Sequence, residues 1–258
     1  MNSVQARAAL GVLAEALLLS ALDARVGLSA PGWVAGLTCA VIVNAALARG
    51  LYRAGAVGLG PADRVTLVRA TLVCAVAALT AQSYVDPTPV WPLVALSVVA
   101  LVLDGVDGRV ARRTGTASAL GALFDQEVDA FLILILSVQV APSAGAWVVA
   151  IGGARYAFLV AGWLAPWFNA SLPPRYWRKV VAAAQGIVLT CAAAQLLPAG
   201  VMTAALVAAL ALLTESFGRD VWWLWRRRPV RAEPAVRPGL RPEPSGEPLP
   251  EANPTAAA

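Results

Sequence analysis

Apolar positions in this chain fall in long runs, with neither the strict alternation of a strand nor the one-sided stripe of a soluble helix. A first run covers residues 8–22 after Arg7 and is broken by Glu15. Pro31 to about Ala48 forms a second, opened by Trp33 and closed by Arg49 and Arg53. A third begins at Gly60 and ends near Gln82, a fourth covers Val90 to Arg112, a fifth Ser118 to Val140, and a sixth Ala146 to Trp167. The basic stretch Pro173 to Lys179 leads into a seventh, and Val201 to Phe217 is the eighth. Most of these runs match the roughly 20 apolar residues that an α-helix needs to cross a bilayer. The pattern therefore predicts an all-α, polytopic membrane protein of eight helices. The first run resembles a signal peptide, but it lacks a small-x-small cleavage site and another run follows at once. It is read as a retained helix lying partly in the interface. Beyond about Pro229 the chain is rich in Pro, Glu and Arg with almost no large apolar residue, which predicts a disordered tail.

Composition sharpens this picture. The 258 residues are 59% hydrophobic and 14% charged, with a mean hydropathy of +0.69. There is no histidine, so the commonest zinc ligand and general base is missing and a catalytic base must come from a carboxylate. Cys39, Cys74 and Cys191 each sit inside an apolar run and are read as buried, inert thiols. The net charge of +5 accompanies no nucleic-acid-binding module and is assigned to membrane orientation. Counting eight crossings gathers Arg49, Arg53, Arg64, Arg69, Arg112, Arg113, Arg175, Arg178, Lys179, Arg219 and Arg226 on one side, against Arg25 on the other. By the positive-inside rule that side is cytoplasmic, in the cell membrane, with both termini on it.

The chemistry concentrates between Asp104 and Asp129. On helices, Asp104, Asp107, Gly108, Ala111 and Arg112 share roughly 140° of one face, and Gly121, Asp125 and Asp129 share roughly 80° of another. Residues 113–116, Arg-Thr-Gly-Thr, have the composition of a short turn, so the two acidic faces are expected to meet as an antiparallel hairpin. Four carboxylates placed together repel one another unless a cation sits among them. An all-oxygen donor set points to a hard divalent ion, Mg²⁺ or Mn²⁺, and a pair of such ions is a usual device for phosphoryl displacement.

The order Asp104-x-x-Asp107-Gly108-x-x-Ala111-Arg112, eight residues, Gly121-x-x-x-Asp125-x-x-x-Asp129 resembles the full signature of the CDP-alcohol phosphatidyltransferase family. Asp63-x-Val65-Thr66-x-x-Arg69 is similar to the Asn-x-Leu-Thr-x-x-Arg element at the head of that family's first core helix, with Asp63 replacing the usual Asn. The resemblance covers about residues 60–220. It implies a six-helix transferase core over residues 56–225, preceded by two extra membrane helices in residues 1–55 and followed by a cytoplasmic tail, 226–258. It implies transfer of the phosphoalkyl group of a CDP-alcohol, CDP-diacylglycerol first among them, to a hydroxyl acceptor with release of CMP. By position, Asp104, Asp107, Asp125 and Asp129 would hold the metals and Asp129 would act as base. Gly108, Ala111 and Arg112 would shape the nucleotide pocket, and Gly121 would keep the facing helix close. Dimers are common in the family, so a homodimer is an admissible partner.

Arg69, Arg155, Arg175, Arg178 and Lys179 fall on the aspartate side and are the candidates for binding an acceptor or its phosphate, which suggests a phosphorylated acceptor. Arg155, inside an apolar run, is expected to face a polar cavity or a carboxylate, and Gln185 to need a polar partner. Glu15 is expected to bond to a neighbouring helix, and Glu215 with Arg219 to form an i, i+4 pair. Two other classes compete with this reading. An aspartate-rich prenyltransferase would lack the Gly-x-x-Ala-Arg continuation. A transporter would spread its charges across the membrane depth.

Overall fold

The computed structural model describes residues 3–53, 61–114, 118–169 and 176–227. The described residues form eight α-helices and two 3-10 turns, with no strand among them. In chain order these are α1 (Ser3–Val26), α2 (Ala30–Arg53), α3 (Pro61–Ser83), α4 (Val90–Thr114), α5 (Ala119–Ala144), α6 (Val149–Leu164), α7 (Tyr176–Ala193) and α8 (Ala199–Arg226). Among the described residues, five helical stretches are long and apolar enough to cross a membrane: Ala30–Arg53, Arg64–Ser83, Leu120–Ala144, Ala146–Leu164 and Ala199–Arg226; Val90–Val106 is a shorter apolar one. The chain is an all-α polytopic membrane protein.

α3 is the central helix and the most buried of the five. Ala70, Val73, Cys74, Ala75, Val76, Ala77, Ala78 and Leu79 are all buried, so every face of its middle turns meets protein. Its alanines let neighbours come close, which is how helices gain packing energy where lipid offers no hydrophobic drive. α1, α2, α4 and α5 all pack on it. α2 meets it through Gly32, Gly36 and Ala40, repeated every four residues. A Cβ at Gly36 would stand 2.8 Å from Leu19 and 3.0 Å from Ala78, so a larger residue there would push both neighbours aside.

Local signals set the helix ends. Gly27, at φ +68°, closes α1 in the left-handed conformation that glycine adopts without cost. The Ser29 amide then donates to Gln82 Oε1 at 2.6 Å, pinning the α1–α2 turn to the end of α3. Ser118 caps α5 by accepting the Gly121 amide at 2.9 Å. α4 continues through Arg113 and Thr114, so the expected turn at 113–116 begins later than its composition suggested. Arginine and threonine fit a helix end as well as a turn, and residues 115–117 lie outside the described residues. The eighth run is also longer than its apolar part. α8 carries Trp222, Trp223 and Trp225 on the same helix as Val201.

The three cysteines are free thiols. Gln185, wholly buried, donates to the Ala209 carbonyl at 2.8 Å, which supplies its expected partner. Glu15 departs from expectation. It is buried at 1% exposure, yet neither carboxyl oxygen has a hydrogen-bond partner among the described residues.

Candidate active site

One helix end and two helix starts build the site. The last turns of α4 bring Asp104, the first turns of α5 bring Asp125 and Asp129, and α3 brings Arg69 from one turn beyond its polar opening. Asp125 and Asp129 share a face because four residues advance a helix by just over one turn. One carboxylate oxygen from each of Asp104, Asp125 and Asp129 lies within 4.8 Å of the others. The three side chains are 40%, 32% and 29% exposed, so the cluster opens to the outside on one side.

Arg69 closes the other side. It is 1% exposed, the largest of the fully buried side chains. Its Nη1 lies 3.1 Å from Asp104 Oδ1 and 2.5 Å from Asp125 Oδ1, while its Nη2 donates to Asp129 Oδ1. A buried guanidinium needs this company, because an unpaired charge there is costly. Its planar fork suits several carboxylates at once.

The remaining candidates are placed as follows. Asp107, Gly108, Ala111 and Arg112 lie on the backbone of α4 one to two turns beyond Asp104, with side chains outside the described residues, as is that of Asp63. Gly121 lies in the first turn of α5, bonded to the Ser118 hydroxyl. Arg155 Nη2 is paired with Glu127 Oε1. Glu127 projects from α5 roughly 180° around from the midpoint of Asp125 and Asp129, so Arg155 meets α5 on the flank away from the cluster. Arg178 is bound to Asp220 through Nε at 2.9 Å and Nη2 at 3.0 Å. Lys179 is exposed on the first turn of α7, and Arg175 lies outside the described residues. Glu215 and Arg219 form the expected pair, and Glu215 also accepts from Trp177 Nε1 at 3.1 Å.

Glu127 and Asp220 were not singled out from sequence. Asp220 could have been. It lies on the buried stripe Met202, Leu206, Ala209, Leu213, Ser216, Asp220, Leu224, and an acid on a packing face requires a cation opposite. An open groove of about 730 Å³ lies between α6 and α8, lined by apolar residues such as Ala154, Phe158 and Phe217, and none of the aspartates borders it. This apolar groove and the polar chemistry are thus in different places.

In a helical membrane protein, a three-carboxylate cluster brought together by two helices is a candidate site for a hard cation. The model of the CDP-alcohol phosphatidyltransferase family matches residues 60–214, more than half the chain, and the protein belongs to that family. Over 60 residues it is 48% identical to an archaetidylinositol phosphate synthase of Aeropyrum pernix, covering 23% of this chain and 29% of the relative. Over 55 residues it is 46% identical to the human ethanolaminephosphotransferase 1, covering 21% of this chain and 14% of that protein. The chain thus spans less than a third of either relative's length. No solved structure matches it. Members of the family use divalent cations, and an oxygen-only cluster with ligand atoms this close fits such an ion.

Proposed function

We propose that this protein transfers the substituted phosphate of a CDP-alcohol, with CDP-diacylglycerol the first donor to test, to a hydroxyl acceptor and releases CMP, at the cytoplasmic face of the cell membrane. The observation that carries this reading is the convergence of Asp104, Asp125 and Asp129 within the segment that matches the family.

The mechanism follows from the residues. Asp104, Asp125 and Asp129, with Asp107 one turn beyond Asp104, would hold Mg²⁺ or Mn²⁺, two ions by the family resemblance. Bound cations supply charge neutralisation to the diphosphate and to the departing phosphate. By the family resemblance, Gly108, Ala111 and Arg112 would shape the pocket for the nucleotide and its phosphates, and Gly121 would keep the facing helix close. Asp129 takes the proton of the acceptor hydroxyl. The freed oxygen forms a bond to the phosphorus that carries the alcohol, the bond from that phosphorus to the CMP oxygen breaks, and CMP leaves with the electron pair.

The acceptor is proposed to be phosphorylated, with Lys179 and Arg175 as its first contacts. Arg155 and Arg178 each already hold a carboxylate, so a phosphate would compete with Glu127 and Asp220 for them. The two relatives carry different names, one for archaetidylinositol phosphate and one for ethanolamine, and they do not agree on one acceptor.

The test is CMP release by the purified protein in liposomes, given CDP-diacylglycerol, Mg²⁺ or Mn²⁺, and paired acceptors with and without phosphate. Metal-dependent release that Asp129→Asn abolishes is the expected result. No donor binding and no release under any of these conditions would overturn the activity; release with uncharged alcohols alone would overturn only the phosphorylated acceptor.

A further inference from the structure

Arg69 has a place in the site that the reaction does not by itself explain. Its guanidinium touches Asp104, Asp125 and Asp129 together. It does so from the buried side, at 1% exposure, while the same three carboxylates stay 29–40% exposed on the open side. Phosphate-bearing substrates approach a membrane enzyme from water or from the lipid headgroups. A guanidinium sealed behind three carboxylates is poorly placed to be their first contact.

Repulsion explains the arrangement better. Without a cation, carboxylates this close push one another apart, and the push is strong where water is partly excluded. They come from two different helices, so relief would come by separating α4 from α5. α3 is the helix both pack against, and it supplies the positive charge at their junction.

We propose that Arg69 is a built-in counter-cation: a positioning residue that holds the three carboxylates assembled in the metal-free protein and keeps metal affinity moderate by sharing their charge. The inference rests on the divalent-cation reading above. It has a direct thermodynamic consequence. Loss of Arg69 costs the metal-free protein more than the metal-bound one, because the metal supplies the missing positive charge. By linkage, the same loss tightens metal binding to the folded state and makes folding depend on metal.

The experiment compares wild type, Arg69→Gln, Arg69→Lys and the double variant Arg69→Gln/Asp125→Asn as full-length protein in nanodiscs. Melting temperature is read in chelator and in saturating Mn²⁺, and bound Mn²⁺ is titrated by electron paramagnetic resonance. For R69Q the expected result is a lower melting temperature in chelator, a gap between chelator and Mn²⁺ at least about twice that of wild type, and half-saturation at about tenfold lower Mn²⁺. R69K, which keeps the charge, should lie between the two. The double variant, which removes one charge of each sign, should recover stability in chelator.

An unchanged or smaller gap in R69Q, or a double variant no more stable in chelator than R69Q, overturns the proposal. If R69Q does not fold, the same decision falls to the double variant, which must then fold in chelator for the proposal to stand. Failure of the wild type to bind Mn²⁺ would count against the metal reading of the site instead, and the chelator comparison would still decide the role of Arg69.

Discussion

At the scale of single residues, the site separates groups that meet the reacting atoms from groups that hold them. Asp129 is the proposed base, and Asp129→Asn keeps its size and most of its hydrogen bonding while removing its ability to accept a proton. CMP release should fall by about 10²–10⁴-fold with donor binding retained, a split that single-turnover assays beside donor-binding measurements would expose. Loss of donor binding in step with turnover would instead make Asp129 a ligand only. Arg155 and Glu127 belong to the second group. Their side chains are 22% and 43% exposed, so the pair is partly solvated and its loss should cost only about 1 kcal/mol. E127Q and R155Q should therefore lower the melting temperature alike, with E127Q/R155Q no worse than either, and the acceptor KM should stay within a few-fold of wild type. A large KM rise in R155Q that E127Q does not share would return Arg155 to the acceptor site.

Helix pairs are where the fold is most exacting and where the sequence was least explicit. The α5–α6 contact depends on Gly152, because a Cβ there would lie 2.9 Å from the Leu134 amide nitrogen and closer still to Leu134 Cα and Ser137 Oγ. Gly152→Val should force these helices apart at about 1–3 kcal/mol, read as a lower melting temperature with a normal Mn²⁺ titration if the distortion stays local. Runs of apolar residues predict that helices exist, and they located α2 to α5 to within a few residues. They do not say which faces meet, since in a membrane the lipid-facing and protein-facing sides are both apolar. The aspartate cluster could be read because residue spacing alone puts Asp125 above Asp129 and Asp104 on an adjoining helix. Arg69 belongs to a motif legible in the sequence, but its burial behind the aspartates depends on how α3 packs against α4 and α5, which no local spacing encodes. The partners of Arg155 and Arg178 were hidden for the same reason, although the position of Asp220 on a buried stripe was a usable signal. We further propose that α1 and α2 form an accessory unit. Removing residues 1–55 would leave Gln82 without the Ser29 donor and uncover the α3 face that Gly36 fits. The shortened protein should melt lower yet keep metal-dependent turnover at low temperature; turnover lost at an unchanged melting temperature would place these helices in the site itself.

Across the whole molecule, the contacts sort the helix ends into two groups. At one end, Gly50 of α2 abuts Leu120 of α5, Arg69 of α3 joins Asp104 of α4 to Asp125 and Asp129 of α5, and Arg178 of α7 joins Asp220 of α8. At the other end, Ser29 meets Gln82, Ser83 donates to Gln139 at 3.0 Å, and the Tyr84 hydroxyl donates to the Val138 carbonyl at 2.7 Å. The first end carries Arg49, Arg53, Arg64, Arg219, Arg226 and Arg227 as well as the acidic site, and the second carries Asp23, Arg25 and Asp86. Apart from Glu15 in the middle of α1 and the Arg155–Glu127 pair, these charges lie at the two ends, where a proton or ion relay would need a chain of groups along the path, and this favours surface chemistry over transport. The excess of arginine predicts that the catalytic end faces the cytoplasm. With Cys39, Cys74 and Cys191 replaced, single cysteines at Asp86 and Arg227 would report the two ends. A membrane-impermeant maleimide added to intact cells should label Asp86→Cys and reach Arg227→Cys only after the membrane is opened. The reverse pattern would put the carboxylates on the outer face, away from cytoplasmic nucleotides, and a CDP-alcohol donor could not then be supplied from the cytosol.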